Sequence, residues 1–180
     1  MNKKHNIILI GFMGSGKTSV GERLAERLSY RFQDTDQMIE QKASDTINHI
    51  FQTQGEEYFR TMETNLLLEL KTSLTHAVLS SGGGIPLREQ NKKLLREIGY
   101  VVYLRATKET IVKRLLGDTT RPLLQGGDLQ ERVGLLLEYR EPFYEKVANK
   151  IIATDDKSFD EIINLIMESY LKQIYSLPRR

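Results

Sequence analysis

The chain contains no cysteine. That excludes a disulfide framework and any thiolate metal site, and it fits a reducing compartment such as the cytosol. It also lacks an apolar run of membrane-spanning length, so no membrane partner is expected. Ile7 to Ile10, preceded by Lys3 and Lys4, superficially mimics a secretory leader. The run is too short, however, and it leads into a glycine-rich loop instead of a small-residue cleavage site. Neither sign of charge is in excess: 26 Lys and Arg face 24 Asp and Glu, a net charge of +2. The basic residues are scattered, and Lys3-Lys4 and Arg179-Arg180 read as solvated ends, so no nucleic-acid partner is expected. His5, His49 and His76 have no metal-ligand spacing, and no Gly-x-Ser-x-Gly nucleophile elbow is present. Internal repeats, low-complexity tracts and linkers are missing as well. With 180 residues, 28% charged and 39% hydrophobic, the chain reads as one domain over 1–180 with a proper core.

What is there begins with Gly11-Phe-Met-Gly-Ser-Gly-Lys-Thr18. It satisfies Gly-x-x-x-x-Gly-Lys-Ser/Thr without a mismatch, between an apolar strand pattern and a helical one. Glycines let the backbone wrap a polyphosphate closely. The loop N–H groups and the positive end of the following helix then face the anion. Lys17 reaches the β- and γ-phosphates and the Thr18 hydroxyl binds Mg²⁺. Gly11-x-x-Gly14-x-Gly16 has the wrong spacing for a dinucleotide fingerprint, and Lys17-Thr18 argues against one.

Strand and helix signals alternate along the rest of the chain. Strands are predicted at Asn6–Ile10, Tyr30–Gln33, Ala77–Ser80, Tyr100–Leu104 and Lys150–Ala153. Helices are predicted at Lys17–Leu28, Gln37–Lys42, Thr46–Gln52, Glu56–Ser73, Leu87–Ile98 and Thr107–Leu116. Asp128 with Glu131 marks a capping box opening a helix to Tyr144, and Ser158 with Glu161 marks another. After the second box, Phe159, Ile162, Ile163, Ile166, Tyr170 and Ile174 form one stripe. Residues 117–127 carry three glycines, a proline and no periodicity, and read as a mobile lid loop. Five short apolar strands separated by helices predict an α/β fold, a parallel sheet covered on both faces. Ligands bind such sheets at the strand carboxyl ends. The loop 11–18, Asp34/Asp36 and Gly82-Gly83-Gly84 all follow strands and so converge on one edge.

Asp34 and Asp36 are two apart at a strand end, and are read as pointing to opposite sides. One then faces Mg²⁺ and the other a hydroxyl acceptor; the plainer alternative is a solvated turn. Arg60 and Glu63 share a helix face, as a surface ion pair or as an arginine held toward an anion. Arginine suits a carboxylate, since its planar fork donates two parallel hydrogen bonds. Three glycines at 82–84 exceed what a turn requires and allow a ligand to approach the backbone. Arg121, on the lid, can neutralise charge on a transferring phosphoryl group. Arg140, taken alone, reads as a solvated helix residue.

In their order along the chain these residues resemble the shikimate kinases, small P-loop kinases related to the nucleoside monophosphate kinases. The motifs are the loop at 11–18, Asp-x-Asp at 34–36 and Gly-Glu-x-x-Phe-Arg-x-x-Glu at 55–63. Gly-Gly-Gly at 82–84, Arg-Pro-Leu-Leu at 121–124 and Arg-x-Pro-x-Tyr at 140–144 complete the set, which spans nearly the whole chain. The loop alone is common to many nucleotide-binding proteins; the ordered set is far more specific. The resemblance implies a three-layer α/β/α P-loop fold with a substrate-binding region near 34–63 and a lid near 117–127. It implies phosphorylation of the 3-hydroxyl of shikimate by ATP with Mg²⁺, in the cytoplasm and by a monomer, on the way to aromatic amino acids.

By position, Gly14, Ser15, Gly16, Lys17, Thr18, Ser19 and Arg121 bind ATP. Thr18 ligates the metal, and Asp34 supports it through water. Asp36, Arg60, Arg140 and Gly82, Gly83 and Gly84 bind shikimate. Lys17, Asp36 and Arg121 act in catalysis, Asp36 by orienting or deprotonating the hydroxyl. No acidic residue stands directly before Gly82, a departure from an ordinary Walker B strand that the family shares. Thr154-Asp-Asp-Lys157 carries no signature of an adenine contact. The competing readings are a gluconate or nucleoside monophosphate kinase, or a nucleotide switch without turnover. A monophosphate acceptor calls for more arginines, and Asp34/Asp36 with a lid arginine argue against a switch.

Overall fold

The computed structural model describes residues 5–116 and 128–175. The lid segment 117–127 with Arg121, and both terminal basic pairs, lie outside the described residues. Among the described residues five strands form one parallel sheet in the order β2-β3-β1-β4-β5. They are β1 (Asn6–Ile10), β2 (Arg31–Asp34), β3 (Ala77–Ser80), β4 (Tyr100–Arg105) and β5 (Lys150–Ala153). The helices are α1 (Lys17–Leu28), α2 (Thr35–Ala43), α3 (Ile47–Gln54) and α4 (Glu56–Ser73). They continue with α5 (Glu89–Ile98), α6 (Lys108–Leu115), α7 (Leu129–Val147) and α8 (Phe159–Tyr175).

The three layers follow from the period of two along each strand. On β1, Ile7 and Leu9 pack with Val20 and Leu24 of α1 and with Ile162, Ile163 and Ile166 of α8. Ile8 and Ile10 point the other way, into a core shared with Phe59, Leu66 and Leu67 of α4, Leu95 of α5 and Tyr144 of α7. All four β1 residues are fully buried, as a strand covered on both faces requires. Asn6, also fully buried, closes the lower end. Its Nδ2 donates to Leu74 O at 3.0 Å and Ile98 O at 2.9 Å, and its Oδ1 accepts from Ala77 N at 3.2 Å.

The connections run from β1 outward to β2 and β3, then across to β4 and β5. The strand order therefore reverses at β1, and a crevice opens beyond its carboxyl end. Several boundaries differ from expectation for local reasons. Ser29 takes a left-handed conformation (φ 55°) and ends α1, so β2 starts at Arg31 instead of Tyr30. Asp34 caps α2, which begins at Thr35, two residues early. Pro86 lies in a short 3₁₀ turn at Ile85–Leu87, delaying α5 to Glu89. α7 continues past Tyr144 to Val147. The Ser158–Glu161 box forms in both directions, at 2.8 Å and 3.3 Å. At Asp128 the bond observed is to Gln130 N, 2.9 Å. Phe159 leaves the expected buried stripe: it is 39% exposed, and Arg23 stacks on its ring.

Candidate active site

The loop between β1 and α1 takes the shape its glycines permit. Gly14 and Gly16 have φ of +78° and +94°, conformations that L side chains rarely adopt. Gly16 stands at the N-terminus of α1 and supplies no side-chain cap. The first-turn N–H groups of α1 are thereby left for a ligand, at the positive end of the helix dipole. Lys17 Nζ donates to Gly11 O and Phe12 O, both at 3.0 Å, holding its charge over the loop.

Beyond the loop lies a cleft of about 690 Å³. Gly14, Gly16, Lys17, Thr18 and Ser19 line one end, and Asp34, Asp36, Arg60, Glu63, Gly82, Gly83, Gly84 and Arg140 line the other. The structure thus brings together every predicted site residue among those described except Ser15. Ser15 is buried and does not line the cleft.

The two aspartates do not diverge, and strand geometry gives no reason for them to, since residues two apart in an extended strand share a face. Asp34 ends β2, and its Oδ1 accepts from Asp36 N at 2.9 Å and Gln37 N at 3.4 Å. This cap turns the chain into α2, so both carboxylates border the same cleft. Thr35, between them, accepts from Gly82 N at 2.8 Å and ties β2 to the glycine run. The close approach explains the glycines. A Cβ on Gly82 would stand 2.6 Å from Asp36 Oδ1 and 3.0 Å from Glu63 Oε1. A Cβ on Gly84 would collide with the Arg60 guanidinium. Gly83 O accepts from the Tyr144 hydroxyl at 2.6 Å.

Arg60 is no surface residue: it is 7% exposed, and its partner Glu63 is 1% exposed. Arg60 Nη1 donates to Glu63 Oε2 at 2.8 Å, and Nη2 and Nε donate to Glu56 Oε1 at 2.8 Å and 3.2 Å. The rings of Phe59 and Phe51 stand 5.5 Å and 6.0 Å from its guanidinium carbon. Burial works against its charge, but Glu63 and Glu56 outweigh burial and hold the guanidinium above its ordinary pKa. Burial pushes the Glu63 carboxyl up to about 7, with Asp36 adding to the rise and Arg60 and Arg140 opposing it. Arg140, 3% exposed, comes from α7 and lies over the Phe12 ring at 5.6 Å. Burial also pushes the Tyr144 hydroxyl up, to about 12, so it stays a neutral donor to Gly83. Among the described residues Glu63 Oε1 and Arg140 Nε are buried without a hydrogen-bond partner. Such groups are costly unless a ligand completes them.

Arg114 escaped the sequence reading. It donates from Nη1 to Gly14 O at 2.9 Å and lines the nucleotide end of the cleft. Its only signal is its place one turn before the glycine-rich segment. Thr35 and Tyr144 were likewise silent as positioning groups, because their partners are 47 and 61 residues away.

No helix among the described residues is long and apolar enough to cross a membrane. No group of three or more His, Cys, Asp or Glu side chains among them could cage a metal. Against this geometry the relatives are informative. The family model for shikimate kinase matches residues 13–171. A shikimate kinase from Microcystis aeruginosa is 43% identical over 162 residues, covering 90% of this chain and 84% of its own. A solved shikimate kinase from Acinetobacter baumannii, in complex with shikimate, superposes with a TM-score of 0.87 at 39% identity. It covers 97% of this chain and 94% of its own. A gluconokinase from Sinorhizobium meliloti shares the fold, with a TM-score of 0.61 and 17% identity, over 96% and 95% of the two chains. The chain belongs to the shikimate kinase family.

Proposed function

We propose that this cleft transfers the γ-phosphoryl group of ATP to the 3-hydroxyl of shikimate, giving shikimate 3-phosphate and ADP. The observation that carries this reading is the convergence of two buried guanidinium groups, Arg60 and Arg140, on the cleft that the phosphate loop opens into. Two buried cations beside a glycine wall suit a small acid with one carboxylate. Asp36, which borders the same cleft, then accepts from the acid's hydroxyls and orients the attacking one.

The reaction needs little covalent help from the protein. The 3-oxygen attacks the γ-phosphorus, the bond to the bridging β–γ oxygen breaks, and ADP leaves. The hydroxyl proton passes toward Asp36. Gly14, the Ser15 backbone, Gly16, Lys17, Thr18 and Ser19 hold the phosphates. Arg114 lines the cleft beside the phosphate loop, and Arg121, outside the described residues, is read as the cation that neutralises the transferring group.

Thr18 and Asp34 would hold Mg²⁺. Both border the cleft, and one Asp34 oxygen already caps α2. Such a sparse oxygen set fits a small hard cation that keeps most of its waters and binds through phosphate oxygens. When bound, the ion neutralises charge on the β- and γ-phosphates.

We read the chain as one kinase domain acting as a monomer in the cytosol, where ATP is abundant. The test is ADP release with a panel of shikimate, gluconate and nucleoside monophosphates. Release that depends on shikimate alone is expected. Release driven by gluconate or a monophosphate, or by no acceptor, would reject this reading.

A further inference from the structure

Arg60 rides on α4, while the glycine wall against which it presses follows β3. Something must fix the depth of one against the other, since even one added methyl on Gly84 collides with the guanidinium. One turn beyond Arg60, buried Thr64 places its Oγ1 2.9 Å from Asn91 Oδ1 and 3.1 Å from Arg60 O. Asn91, at the start of α5, is fully buried. Its Nδ2 donates to Ile85 O at 3.1 Å, one residue past Gly84. Gln90 Nε2 donates to Thr64 Oγ1 at 3.4 Å.

Counting protons orients this network. Ile85 O can only accept, so the amide nitrogen of Asn91 faces it and Oδ1 faces Thr64. A hydroxyl has one proton, and Asn91 Oδ1 takes it: this oxygen can only accept, whereas Arg60 O is already satisfied by the helix ladder. The link therefore runs from Thr64 through Asn91 to Ile85 with a single sense. It joins the turn of α4 that carries Arg60 to the peptide that follows the glycine wall. A buried amide with both ends satisfied is a stiff connection, and losing one end leaves the other group unpaired.

We propose that Asn91 is a positioning residue for the acceptor: its amide sets the Arg60 fork at the depth where it meets the substrate carboxylate. This rests on the reading that Arg60 holds that carboxylate. Asn91 touches neither substrate nor nucleotide; it acts through Thr64 and Ile85. A displacement well under a bond length at a charged fork is enough to weaken a bidentate contact.

The test is steady-state kinetics of Asn91→Leu, Thr64→Val and Thr64→Ser, with Arg60→Ala as a control. Asn91→Leu and Thr64→Val each raise the KM for shikimate about tenfold, while kcat and the KM for ATP stay within about twofold. Thr64→Ser, which keeps the hydroxyl, returns the shikimate KM toward wild type. The double variant Asn91→Leu/Thr64→Val is no worse than either single one, because both remove the same link. An unchanged shikimate KM in Thr64→Val and Asn91→Leu overturns the proposal if Arg60→Ala raises it. Equal rises in both KM values also overturn it, as the mark of general loosening. If Arg60→Ala itself leaves the shikimate KM alone, the role given to Arg60 falls instead.

Discussion

The two ends of the cleft are built on opposite plans. The nucleotide end is chiefly backbone: one loop and the first turn of α1, eight consecutive residues with a single charged side chain, to which α6 adds only Arg114. The acceptor end is side chains drawn from α2, α4 and α7, set against the glycine backbone of the turn after β3. Triphosphate is recognised by peptide dipoles that need no assembly beyond a local turn. The acid is recognised by buried charges that exist only once distant segments have packed. Burying them is costly, and the Glu56–Arg60–Glu63 group offsets this with ion pairs and hydrogen bonds. The first end is robust and generic. The second is specific and sensitive to small displacements.

Breaking the contrast most severely should require Arg121→Ala, given the proposed role of this arginine on the transferring group. We expect kcat to fall by about 10² to 10⁴ with both KM values little changed. Unchanged turnover at saturation would remove Arg121 from the reaction. Next is Gly84→Ala. The new methyl must displace the Arg60 guanidinium, so the shikimate KM should rise by about 10² while nucleotide binding persists. A parallel loss of ATP affinity, measured by calorimetry, would show that the ends are not independent.

The smallest effect concerns Glu63 and pH. Its folded-state pKa, about 7, lies above its ordinary 4.5, so the folded chain holds this proton more tightly than the unfolded chain. The resulting stabilisation is complete below about 4.5 and is lost as pH rises through 7. Glu63→Gln cannot titrate there. Wild-type stability should therefore fall relative to Glu63→Gln across that window, by at most about 1.4 kcal/mol per pH unit. Parallel urea midpoints from pH 4.5 to 7 would mean that Glu63 is already ionised throughout.

The same contrast explains what could be read from sequence. The loop 11–18 was legible because its function is local. The edges of β1, α1, α4, β3 and β5 were legible because apolar period and neighbouring glycines mark them. Arg140 was not, since nothing in Tyr139-Arg140-Glu141 says that α7 turns it inward over Phe12. It entered only through the ordered motifs that resemble a family. The divergence read for Asp34 and Asp36 failed because residues two apart in a strand share a face, and because β2 ends at Asp34, two residues before Asp36, where the Asp34 side chain caps α2. Arg114, Thr35 and Asn91 gave no sign, because a positioning hydrogen bond leaves no periodic trace.

The central claim is that the Arg60 and Arg140 forks recognise a carboxylate, and it is tested most directly by titrating shikimate and its uncharged methyl ester. Both ligands should be titrated into the wild type and into Arg60→Ala/Arg140→Ala, with far-UV circular dichroism confirming the fold. The wild type should prefer the acid by about 100-fold, and the double variant should bind both ligands alike and weakly. A double variant that still prefers the acid would place its charge elsewhere in the cleft and contradict the account.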